Sequence, residues 1–148
     1  MTSQTHNSLP AAAILAERRR SGTQGARLPP SLRPLDAAAA LAVQALVSEQ
    51  LGDKIVAWKC GLPVDGQPVL APIYAGTVCS GGACAAWVRG GQVRVEPELA
   101  FVLAQDLPAR SSPYSAAEVD AAVGGTYLAL ELIDSRYSEP DEASFIEN

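Results

Sequence analysis

The segment VEPELAFVLAQDL, residues 95–107, carries two glutamates, Glu96 and Glu98, two positions apart in an otherwise apolar run. Residues at i and i+2 of a strand share a face. Read as a strand, the segment points Glu96 and Glu98 one way and turns Val95, Leu99, Phe101 and Leu103 the other. Like charges held side by side ask for a cation. Further on, TYLALELIDSR, residues 126–136, sets a third carboxylate, Glu131, among apolar neighbours on both sides. Three carboxylates on two strands can bind a hard divalent cation, and Mg2+ prefers such oxygen ligands while keeping waters that a substrate can replace. The competing arrangement leaves the glutamates on the solvent face of a half-buried sheet. Glu131 suits that arrangement less well, and on these residues both stay open.

Lys59 is the other residue with chemical potential. It lies inside KIVAWKCG, residues 54–61, a run of β-branched and aromatic residues that reads as a strand. A lysine there either snorkels from a sheet edge or is desolvated enough to move a proton or hold an anionic substrate. The run itself does not choose between them.

Two helices precede these strands. Residues 9–21 favour a helix, with Ser8 as cap, Pro10 in the first turn and Arg18, Arg19 and Arg20 at the end of the macrodipole that favours cations. A Pro- and Gly-interrupted link, residues 22–34, follows. Asp36 then caps a second helix over residues 37–51, which Gly52 stops. After the strand at 54–61 come a proline-broken strand-like run at 68–76 and the stretch 84–107, where Gly90 and Gly91 form a tight turn between two strands. Pro97, between the two glutamates, indicates an edge or a bulge. Ser115 with Glu118 is a capping box for a short helix over 114–123. Residues 126–135 form the last strand, ahead of an acidic, Pro-interrupted tail.

Composition narrows the partners. At 148 residues, 48% hydrophobic and 18% charged, the chain has the size and make-up of one globular domain. A net charge of −5 argues against nucleic acid or an anionic membrane as partner. No apolar run is long enough to span a bilayer, and Arg18 to Arg20 follow the Ala-rich run rather than preceding it, unlike a signal peptide. A cytosolic location is expected. Cys60, Cys79 and Cys84 are odd in number and lack paired zinc spacing, so they read as small apolar residues in a reduced compartment. The single histidine, His6, sits in a polar N-terminal stretch, which leaves no basis for histidine catalysis.

AWKCGLP (57–63), VEPELAFVLAQDLP (95–108) and LALELIDSR (128–136), in this order, resemble the 2-keto-4-pentenoate hydratase branch of the fumarylacetoacetate hydrolase superfamily, which also includes 4-oxalocrotonate decarboxylases. The likeness extends over nearly the whole chain, helices included. It implies an α+β fold in which residues 1–52 are helical and residues 53–148 form the first half of a mixed, curled catalytic β-sheet, incomplete at the C-terminus. It assigns metal ligation to Glu96, Glu98 and Glu131, and a site role to Lys59.

The implied activity is a Mg2+- or Mn2+-dependent hydratase of 2-hydroxypenta-2,4-dienoate-like 2-oxo acids in aromatic meta-cleavage catabolism, acting as a homo-oligomer. The alternatives are a 2-oxo acid decarboxylase, an acylpyruvate C–C hydrolase, or an inactive truncated piece serving only in interactions. Two departures bear on the choice. Ile73 of PIYAG stands where the family commonly has an acidic residue, and family members continue well past the position of Asn148.

Overall fold

A computed structural model describes residues 2–64 and 66–147, with the backbone alone for residues 2–6, 64, 67, 68 and 145. The chain is α+β, with three α-helices and two two-stranded antiparallel sheets among the described residues. It divides into two compact units, one formed by Met1–Cys84 with Ser135–Asn148 and the other by Ala85–Asp134.

The larger unit is built on two packed helices, α1 (Thr2–Ser21) and α2 (Ala37–Leu51). Asp36 caps α2 by accepting from the Ala39 N–H at 2.8 Å, and Gly52 ends it at φ 65, where a side chain would be strained. The start of α1 differs from the sequence expectation. The helix runs from Thr2 rather than from residue 9, so Ser8 is a buried helical residue and Pro10 lies inside the helix instead of in its first turn. A mid-helix proline removes one backbone hydrogen bond; the polar residues ahead of it are helical nonetheless. The side chain of His6 lies outside the described residues.

The core of this unit gathers Ala11, Ala12, Leu28, Val43 and Tyr137, with Ile14, Leu15 and Leu46 packed against it. Alanines on α1 let the α2 face approach closely, while Leu28 and Tyr137 supply the bulk. The strands β1 (Ile55–Val64) and β2 (Gln67–Tyr74) pair in the same unit. The Gln44 side chain on α2 donates to the Leu70 carbonyl at 3.1 Å, and the Ser48 and Tyr74 hydroxyls meet at 2.7 Å. These bonds fasten the hairpin to the helix.

The C-terminal stretch belongs to this unit too. Gly25 and Tyr137 form a backbone bridge, and the Tyr137 hydroxyl donates to the Glu147 carbonyl at 2.9 Å. The Glu147 carboxylate is buried, ion-paired with Arg27, 3.7 Å from Arg33 and bonded by the Ser144 hydroxyl at 2.8 Å. The Arg27 guanidinium is the main reason its pKa falls from an ordinary 4.5 to about 2. The acidic tail is thus an integral part of the fold.

The smaller unit consists of β3 (Arg94–Leu103), α3 (Ala116–Ala122) and β4 (Val123–Ile133). The capping box is present: the Ser115 side chain accepts from the Glu118 N–H, and the Glu118 carboxylate accepts from the Ser115 N–H at 2.8 Å. Arg110 adds two contacts to Glu118, at 2.8 and 2.9 Å, and with the Ser115 bonds holds its carboxyl down at about 2. β4 starts at Val123 rather than at residue 126, because Gly124 and Gly125 join the strand. A Cβ on Gly124 would lie 2.7 Å from that of Ala104, so only glycine fits this approach.

Gly90 and Gly91 form the expected turn, both at positive φ, but the strand expected ahead of it is reduced to one bridge between Arg89 and Gln92. Arg89 instead stacks on Trp87 at 5.2 Å and binds Asp134 through two contacts of 3.1 Å.

Candidate metal-binding site

The β3–β4 ladder decides which residues meet. Glu96 pairs directly with Glu131, Glu98 with Ala129 and Ala100 with Tyr127. Cross-strand partners share a face, and each strand alternates, so Glu96, Glu98 and Glu131 lie together while Val95, Pro97, Leu99 and Phe101 turn to the other face with Leu128, Leu130 and Leu132. The register runs through Pro97 without a shift and slips only between Val102 and Leu103. Pro97 is therefore no bulge. In a two-stranded sheet each strand has an open edge, which is where a residue lacking an N–H is tolerated.

One carboxylate oxygen from each glutamate lies within 4.8 Å of the other two, with Glu96 exposed and Glu98 and Glu131 half-buried. In bulk water two unit charges at this separation repel by about 1 kcal/mol, and more where the dielectric falls. A divalent cation reverses the sign of that contribution. Oxygens bound to one Mg2+ sit about 2.1 Å from it, and those on Ca2+ about 2.4 Å, so oxygens this close need small side-chain rotations to converge on one ion. The donor set, carboxylate oxygens alone, suits a hard cation rather than one that prefers nitrogen or sulfur. The three glutamates singled out by the sequence can hold a metal ion.

Lys59 belongs to the other unit. It lies half-buried on β1, opposite Ala71, and alternation puts it on the sheet face away from exposed Trp58 and Cys60. Ile73, on β2, pairs with Ala57 and is half-buried, so no carboxylate enters at that place on the strand.

The cysteines overturn one expectation: all three are exposed instead of sitting in the core. The reason is their place in the chain. Cys60 is on the outer side of a two-stranded sheet, and Cys79 and Cys84 lie in the irregular stretch after β2, where no apolar layer covers them. Among the described residues no helix is long and apolar enough to cross a membrane. No family model matches the chain, and no curated protein matches it.

Proposed function

We propose that this chain is a divalent-metal-dependent hydratase, a hydro-lyase of 2-hydroxypenta-2,4-dienoate-like 2-oxo acids. One observation carries the reading: the three glutamates that the resemblance assigns to metal ligation lie within 4.8 Å of one another on one sheet face. The fold is then of the fumarylacetoacetate hydrolase type, and Mg2+ or Mn2+ is the ion. The protein acts in the cytoplasm, as a homo-oligomer.

In this reading Glu96, Glu98 and Glu131 would hold the cation, whose charge offsets their mutual repulsion. When bound, the cation supplies Lewis-acid stabilisation of the charge that develops on the C2 oxygen of the substrate. The resemblance gives Lys59, on β1, a carboxylate-orienting or proton-transfer role. Hydration needs a proton delivered to carbon and water added at C4. Ile73 stands where the family commonly has an acidic residue, so the carboxylic acid that the resemblance would offer for that proton is absent. Decarboxylation uses the same enolate stabilisation after loss of CO2, with a proton then taken up at carbon and no water added, and is the second reading.

The test is Mg2+-dependent loss of the dienol absorbance of 2-hydroxypenta-2,4-dienoate with the full chain, alongside Mg2+ calorimetry on the wild type and Glu98→Ala. Hydratase turnover that vanishes with the metal and with Glu98→Ala is expected. Release of CO2 from 4-oxalocrotonate without hydration selects the decarboxylase, and cleavage of acylpyruvates alone selects the hydrolase. Unchanged Mg2+ affinity in Glu98→Ala removes the metal assignment altogether.

A further inference from the structure

The irregular stretch after β2 contains Cys79-Ser80-Gly81-Gly82-Ala83-Cys84. The Cys84 thiol donates to the Cys79 sulfur across 2.7 Å. A disulfide bond measures about 2.05 Å, so the two sulfurs are already aimed at each other and need to close by a fraction of an ångström. Gly81 and Gly82 make that approach possible. Both adopt positive φ, 75 and 73, and a Cβ built on either meets no atom within 4 Å. The loop thus turns back on itself with open space around both glycines.

We infer that Cys79 and Cys84 are a redox-modification site, a dithiol that forms a reversible intrachain disulfide by exchange with small-molecule disulfides. Both thiols are exposed, so a reagent reaches them without opening the fold. The exchange balances in two steps. One cysteine, as thiolate, attacks the small disulfide RSSR, forming a protein–SR bond and expelling RS−, which takes up a proton. The thiolate of the other cysteine then attacks the protein sulfur of that mixed disulfide, forming the Cys79–Cys84 bond and expelling the second RS−. Two protein thiols are oxidised and one RSSR is reduced to two RSH. Exposed disulfides are the readily reduced ones, so the ring opens again in a reducing medium. The modification lies where the chain leaves the larger unit, since Cys84 is the last residue of that unit's first segment. It is independent of the proposed lyase activity.

The experiment incubates the full chain with oxidised glutathione and follows intact mass, alkylatable thiols and a peptide map. The expected product has a Cys79–Cys84 crosslink, has lost the mass of two hydrogens at that pair, and returns to the dithiol with dithiothreitol. Cys60, exposed on β1, gives only a mixed disulfide with glutathione and serves as the internal comparison. In Cys79→Ser and Cys84→Ser the remaining cysteine of the pair accumulates as a stable glutathione adduct. Stable glutathione adducts on both Cys79 and Cys84 of the wild type would overturn the inference, as would crosslinks that join separate chains or involve Cys60.

Discussion

Glu96 on β3 and Glu131 on β4 are direct partners in an antiparallel ladder, two carboxylates facing each other where opposite charges or apolar pairs are the stabilising choice. Glu96→Gln and Glu131→Gln should each abolish the stabilisation that Mg2+ gives the wild type. Thermal melts with and without Mg2+ check it. A variant that kept the full Mg2+-induced shift would detach that glutamate from the ion.

Glu147 gives a pH dependence whose sign follows from its environment. Its folded pKa, about 2, lies below the ordinary 4.5, so its contribution to stability is complete above that ordinary value. The contribution fades as the pH falls from about 4.5 towards 2, and amounts to at most about 3 kcal/mol. Glu147→Gln should flatten that part of the acid limb in urea titrations. Arg27→Ala leaves the buried carboxylate without its main partner and should lower stability at neutral pH. An acid limb identical to the wild type in Glu147→Gln would contradict the assignment.

The cap of α3 is separable from the site. Ser115→Ala removes the acceptor for the Glu118 N–H and should cost about 1 kcal/mol, seen as faster amide hydrogen exchange across Ala116–Ala122. Lowering the pH through the range where Glu118 protonates, from its ordinary 4.5 towards about 2, should loosen the same turn in the wild type.

The face of β3–β4 opposite the glutamates is apolar and open, with Leu128 89% and Leu130 67% exposed among neighbours such as Leu99 and Phe101. Contiguous exposed apolar surface of this kind drives association. The chain should sediment as concentration-dependent oligomers in which this face pairs with that of a second copy. Leu128→Glu should shift the equilibrium towards monomer, and an unchanged sedimentation profile would place the contact elsewhere.

Alternation and capping made much of this legible from the residues. The i, i+2 spacing put Glu96 and Glu98 on one face, and Asp36, Gly52, Ser115 and Glu118 marked helix ends because capping is a local interaction. What pairs with what was not local. That Glu131 falls opposite Glu96 depends on a register set over the whole ladder. The structural role of the tail depends on Arg27 and Tyr137, far from Glu147 in sequence. The cysteines went unread for another reason: their types suggested a core, but no element supplied an apolar layer over them. The spacing C-S-G-G-A-C, with two glycines free to adopt positive φ, was the available signal.

The larger unit is discontinuous, since its Ser135–Asn148 segment returns only after all of Ala85–Asp134 has been traversed. Its closing contacts, the bridge from Gly25 to Tyr137 and the pairing of Arg27 with Glu147, join residues more than a hundred positions apart. Such long-range closures carry a loop entropy that slows folding. During synthesis the helices emerge well before Ser135–Asn148, so these contacts close only once that segment has followed. The smaller unit, whose residues are contiguous and whose ends are joined by Arg89 and Asp134, can condense in the meantime. Of the two units, the one begun first is then the one completed second.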